Sequence, residues 1–202
     1  DWIIPASQQD INTNSTWIFV LSDARYAGLR WHGPNAQYTD ISPWACPSEP
    51  VRFGLHSDDP PHFQYGHYSL NTRLSGSFQT DTQTNHWRRY NDVPQPSAAI
   101  LVTENQQKDS SMVERTQGAA YRHGRRPDPR TAVKNPQWEL LKPPYECVGN
   151  FLYLDNHVSA HSFDVIFNST KDRWSEMLWG ATGTHWALLC GINPKSGIAA
   201  KK

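Results

Sequence analysis

The sequence has no excess of either charge. Lys plus Arg number 19 and Asp plus Glu number 19 in 202 residues. A balanced chain generates no long-range field, which argues against nucleic acid or an anionic membrane surface as partner. Charged residues make up 19%, below the usual 25% or so of globular domains. No run of 18 apolar residues occurs, so none of these residues forms a bilayer-spanning helix. Cysteine is scarce, at three. There is no Gly-x-Ser-x-Gly elbow and no phosphate-binding Gly-rich loop, and Gly180-Ala181-Thr182-Gly183-Thr184 reads as a turn. Helical His-Glu-x-x-His and Cys-x-x-Cys spacings are also missing, which removes the commonest zinc signatures.

What is abundant is tryptophan, at nine, and proline, at fifteen, among many uncharged polar residues. This is the texture of an extracytoplasmic, loop-rich protein. The length suits a single domain with a proper core. Ser15 to Leu21 is apolar and β-branched, and Trp17, Val20 and Leu21 equally form one face of a short helix. Residues 32–66 read as loop, Tyr68 to Leu74 as a strand, 75–96 as turns, and Ala98 to Thr103 as a buried strand. Residues 104–118 read as a polar loop. Residues 124–147 are Pro-rich and carry Arg125, Arg126 and Arg130, which reads as a surface insertion. Phe163 to Phe167 extends the sheet. Arg173 to Trp179 has helical spacing with Gly180 at its C-terminal cap, and His185 to Ile192 is a last strand. The expected fold is α+β: a single domain over residues 1–202, with a mainly antiparallel sheet and long irregular loops.

The most pronounced local pattern is Gly149 to His161. Phe151 and Tyr153 alternate with Leu152 and Leu154, Asp155-Asn156 forms a two-residue turn, and Val158 and Ala160 continue on a return strand over 150–161. With Tyr121-Arg122-His123-Gly124 upstream, it resembles the closing signature of bacterial pseudopilin-like, prepilin-type proteins. Other pieces follow the same family order. They are Asp1-Trp2-Ile3-Ile4-Pro5, Trp17 to Tyr26, Trp44-Ala45-Cys46-Pro47-Ser48, Tyr65-Gly66-His67-Tyr68-Ser69-Leu70-Asn71, and Pro96 to Glu104. The resemblance runs from residue 1 to about residue 163. Three features depart from it: a wide separation of His123 from Asp155, Asn156 where the family has Gly, and no membrane helix within the sequence.

The resemblance implies a pilin-like head without its N-terminal helix. That helix would precede Asp1 and pack in a filament core, leaving an apolar stripe of sheet exposed or covered by something else. The implied role is a non-enzymatic subunit or tip component of a type IV pilus-like or type II secretion-like filament, in the periplasm or at the cell surface. Its partners would be other pilin-like subunits, and its only membrane contact that helix. The motif residues would be His123, Asp155, Asn156 and His157. The family often carries a cysteine in the helix, which implies a Cys147–Cys190 disulfide with Cys46 unpaired; the alternative is three reduced thiols.

Two other function classes compete. His157 and His161 lie four apart on one strand face, and with His123 they would form a three-nitrogen metal site for a hydrolase. The plainer reading is that His123 and His157 hydrogen-bond loop backbone. Asp155, Asn156 and Glu104 offer oxygens, and the family implies calcium in a C-terminal loop, yet the dense acidic pattern of a calcium loop is missing. Asp155 equally reads as a turn carboxylate that caps backbone amides. Otherwise no cofactor and no tight metal is expected. Trp31, Trp87 and Trp138 lie in polar stretches and would stack on sugar faces in a carbohydrate-binding or adhesive module; the alternative is that they fill a core.

Overall fold

The computed structural model describes residues 3, 7–10, 13–18, 21, 44–54, 62–75, 89–93, 96–108, 112–113, 118–125, 146–163 and 165–166. Two short strands, β1 (Ser7–Asp10) and β2 (Thr13–Thr16), form an antiparallel hairpin. Six more build the main sheet: β3 (Tyr68–Asn71), β4 (Ile100–Glu104), β5 (Met112–Val113), β6 (His123–Gly124), β7 (Cys147–Tyr153) and β8 (Val158–Ser162). The path runs β5-β3-β4-β7-β6, and β8 pairs with β7. All pairs are antiparallel except β3 with β5. Among the described residues the class is therefore mainly antiparallel sheet with little helix.

β7 is the axis. Its residues alternate between buried and half-buried from Cys147 to Tyr153, as a period of two requires. Phe151 and Tyr153 enter one apolar cluster with Tyr121, Ile100, Leu154 and Phe163. Tyr121 meets the Phe163 ring edge-on at 5.5 Å, a favoured aromatic geometry. The opposite face carries Leu70 and its cross-strand partner Val102, which join Trp17, Ile18 and Trp44. Trp17 and Trp44 pack edge-to-face at 5.3 Å. This second cluster covers β3 and β4, so the sheet is dressed on both sides there. Among the described residues the large exposed apolar side chains are Tyr90, Val158 and Val165, not a continuous stripe.

Several expected elements shift. β3 stops at Asn71 and gives way to one helical turn, Thr72–Ser75, because Asn71 Oδ1 accepts from Leu74 N at 3.3 Å. β4 starts at Ile100, after a 3-10 turn over Pro96–Ala98. The polar segment after Glu104 is not all loop: Asn105 and Gln106 are buried and β5 follows. At Asn105 that polarity is satisfied inside the fold, since its side chain donates to Gly66 O at 3.0 Å and accepts from Gln107 N at 2.9 Å. Phe163 opens helical backbone rather than a strand; Phe163 and Ile166 are buried and Val165 is exposed, a helical spacing.

The hairpin forms, with a different turn. Tyr153 N donates to His157 O at 2.9 Å and Asn156 N to Tyr153 O at 3.0 Å. The loop is thus the three residues Leu154, Asp155 and Asn156, and Asn156 alone has positive φ, at 72°. A type I turn closed by one left-handed residue is a common three-residue hairpin. At the Pro-rich insertion, Gly124 pairs with Cys147 and Arg125 N donates to Glu146 O at 3.3 Å. Its two ends therefore lie side by side. The expected helix at 173–179 and strand at 185–192 lie outside the described residues.

Candidate functional site

The register of β7 brings the site together. On one edge β7 pairs with β8, through Val148↔Ser162 and Phe151↔Ser159. On the other it pairs with β4 through Thr103↔Phe151 and with β6 through His123↔Val148. β4 and β6 therefore lie end to end, and Glu104 and His123 meet at the junction. Their side chains approach to 2.5 Å, Nε2 to Oε1. Asn150, on β7 between the two pairings, donates Nδ2 to the same Oε1 at 2.9 Å. Gly149 makes room for this: a Cβ there would stand 2.4 Å from Ala120 O, in the segment that leads to β6.

The third element is the loop around Cys46. Glu49 N donates to Cys46 O at 3.0 Å, closing a turn with Pro47 at its second position, where the fixed proline φ is favourable. Cys46 N donates to His67 Nδ1 at 2.9 Å, and His67 N to Trp44 O at 2.9 Å. So anchored, Cys46 Sγ lies 3.8 Å from His123 Nε2. Among the described residues, Cys46, Glu104 and His123 form the one set of three ligand-bearing side chains whose donor atoms converge, all within 4.8 Å of one another.

A buried ion pair supports the site. Arg122 reaches Glu49 at 2.9 Å, and both side chains are almost completely buried. The guanidinium also donates to His67 O at 3.1 Å and to Asn105 O. His67 stacks on Phe53 at 4.5 Å and meets Phe63 edge-on at 4.7 Å. Burial, and then the Arg122 charge, lower its pKa to about 3, so His67 stays neutral and accepts at Nδ1. Burial raises the Glu104 carboxyl against the opposing pull of Arg122 and His123. Burial, with the neighbouring Cys46 and Glu104, raises the Tyr68 hydroxyl to about 12.

The donor set is one sulfur, one imidazole nitrogen and one carboxylate, and those are transition-metal ligands. It is not a nucleophilic triad. Such a triad needs the carboxylate to orient the base through its second nitrogen, whereas Cys46 and Glu104 both face His123 Nε2. His123 is the opening to solvent, its side chain 28% exposed beside a Glu104 side chain at 1%.

Of the residues singled out in the sequence, only His123 and Glu104 enter this cluster. His157 and Asp155 pair with each other at the hairpin tip, Nδ1 to Oδ1 at 2.6 Å. Asp155 Oδ1 also accepts from His157 N at 3.3 Å, so this carboxylate does cap the turn. The His157 ring stacks on Tyr153 at 4.2 Å. His161 lies beside Phe151 and Tyr153. Hence the structure does not gather His123, His157 and His161 at one point. Cys147 is buried on β7, while Cys190, Trp31, Trp87 and Trp138 lie outside the described residues. Sequence reasoning did not single out Glu49, Tyr68, Arg122 or Asn150, and it weighed Cys46 only for disulfide pairing. The available signal was that Cys46, Tyr68, Glu104, Arg122 and His123 all fall within the ordered motif segments.

Compared with family models, curated proteins and solved structures, the chain matches none.

Proposed function

We propose that this chain is the non-enzymatic, extracytoplasmic head of a pseudopilin-like subunit, which assembles through a hydrophobic helix preceding Asp1. The observation that carries this reading is mutual bonding among the motif segments. The Trp44–Ser48 loop bonds the Tyr65–Asn71 segment through His67. That segment bonds Arg122, and the end of β4 bonds His123 and Asn150. Segments spread over some hundred residues thus hold one another in place at a single junction. Residues used in this way specify a scaffold, and the intervals between them are left for subunit-specific surface. A filament subunit needs that division of labour.

The test is the encoded precursor and its fate in the cell. The reading expects a prepilin-type leader and about 20 apolar residues upstream of Asp1. It also expects longer, unprocessed protein in cells without prepilin peptidase, and antibody against the head on sheared filaments. A precursor without that helix, released as free protein, would refute it.

A further inference from the structure

We infer that Cys46, Glu104 and His123 hold a divalent transition metal of the zinc type, and that the ion clamps the Trp44–Ser48 loop onto the sheet. The inference stands apart from the assembly reading, because the site would bind the same ion on or off a filament. It also departs from the expectation of a head without a tight metal.

The three ligands come from three separate segments, and their donor atoms lie within 4.8 Å of one another. Zinc takes thiolate at about 2.3 Å and imidazole at about 2.0–2.1 Å, so a tetrahedral ion separates the two by about 3.6 Å. The Cys46 Sγ to His123 Nε2 distance is 3.8 Å. The His123–Glu104 contact, 2.5 Å as a hydrogen bond, must open to about 3.4 Å when an ion replaces the shared proton. His123, the least buried of the three, has the room to turn.

A second observation is independent of these distances. Glu104 Oε2 is buried without a hydrogen-bond partner, on a side chain 1% exposed. A buried carboxylate oxygen left bare is costly, and a cation satisfies it. The charges also balance. A thiolate and a carboxylate neutralise a divalent ion, while Arg122 is already matched by Glu49. The outer layer is in place as well: Asn150 orients Glu104, as supporting groups do in metal sites. One sulfur and one nitrogen among three ligands disfavour calcium and magnesium, which take oxygen. The fourth tetrahedral position is left to water.

The test uses the 202-residue chain, purified without chelator from zinc-supplemented cells. Elemental analysis should find one zinc per chain. Exchange with cobalt should give the intense visible bands of a tetrahedral site and a thiolate-to-cobalt charge-transfer band. Cys46→Ser should abolish the charge-transfer band, and Cys190→Ser should leave it intact. Asn150→Ala should weaken zinc binding about 10–100-fold, the usual effect of losing an outer partner. If Cys46→Ser does not fold by circular dichroism, His123→Gln decides, and it should weaken zinc binding at least tenfold. Substoichiometric zinc in the wild type, a charge-transfer band that survives Cys46→Ser, or wild-type affinity in His123→Gln would each overturn the proposal. So would an ion lost with His157→Ala or His161→Ala, since that would move the site to the hairpin.

Discussion

Arg122 and Glu49 form an ion pair at 2.9 Å with both side chains almost fully buried, directly behind the Cys46–Glu104–His123 cluster. Arg122 immediately precedes β6, a partner strand of β7, and Glu49 ends the Cys46 turn, so the pair ties loop to sheet. Its guanidinium also holds the carbonyls of His67 and Asn105. Paired buried charges add little net stability, because desolvation offsets their attraction; removing one partner alone is costly.

Arg122→Ala should therefore destabilise the fold by about 3–5 kcal/mol, the typical cost of orphaning a buried charge. Glu49→Gln should also be costly, because it leaves the buried Arg122 charge unpaired: an amide oxygen kept on Val51 N, now bonded at 3.0 Å, turns the amide NH2 toward the guanidinium. Urea denaturation followed by circular dichroism would measure both. Equal, small losses would mean that the pair is solvated in solution.

His67 predicts an acid-dependent loss of stability. Its folded pKa is about 3, whereas an unfolded histidine titrates near 6.5. The folded value is depressed, so below pH 6.5 the unfolded chain takes up a proton that the folded chain refuses. The contribution is complete above pH 6.5 and falls as pH drops toward 3, by about 1.4 kcal/mol per unit. Glu104 works with the opposite sign, because burial raises its pKa, and His161 with the same sign as His67. Both cancel when wild type is compared with His67→Gln. Between pH 6.5 and 4.5 the wild type should lose about 2–3 kcal/mol more than the variant. Parallel pH profiles would exclude His67 as the source.

The sequence was legible where period and turn chemistry act over short range. The β7–β8 hairpin is visible because Phe151 and Tyr153 alternate with smaller or half-buried neighbours. Ala98 to Thr103 announces β4 by its apolar run, although Pro96 moves its start. What stayed hidden depends on register. Nothing local in Glu104 or His123 says that β4 and β6 share one edge of β7, and that sharing alone makes them neighbours. His157 and His161 looked stronger because proximity in sequence is visible. Asn105 misled because a buried polar residue with its bonds satisfied looks, in sequence, like a surface one.

Gly149 tests that register. Ala there would place its Cβ 2.4 Å from Ala120 O, a rigid backbone atom. The strand at β6 would have to move away from β7, and His123 with it. Gly149→Ala should cost about 1–3 kcal/mol, as overpacking does. Gly66→Ala is the control, since the one tight approach of its Cβ would be to Ile18 Cδ1, at 3.1 Å, the end of a side chain that can give, with Trp44 at an ordinary 3.8 Å. A Gly149 variant as stable as the Gly66 variant would show that the β6–β7 contact is looser than the structure has it.

Asn156 is the one described non-glycine residue with positive φ, at 72°, and it closes the turn whose first part Asp155 and His157 brace. Asparagine tolerates this region, glycine enters it without steric cost, and a β-branched residue is strained there. Asn156→Gly should be neutral or slightly stabilising. Asn156→Val should cost about 1–2 kcal/mol, the usual penalty for a residue forced into that conformation. The exposed position makes this a clean backbone test, because Asn156 lies at the solvent-facing tip and little packing changes with it. Denaturant midpoints of the three proteins should fall in the order Gly, Asn, Val or with the first two equal. Coincident midpoints for Gly and Val would mean that residue 156 does not hold positive φ in solution and that the hairpin closes by a different turn.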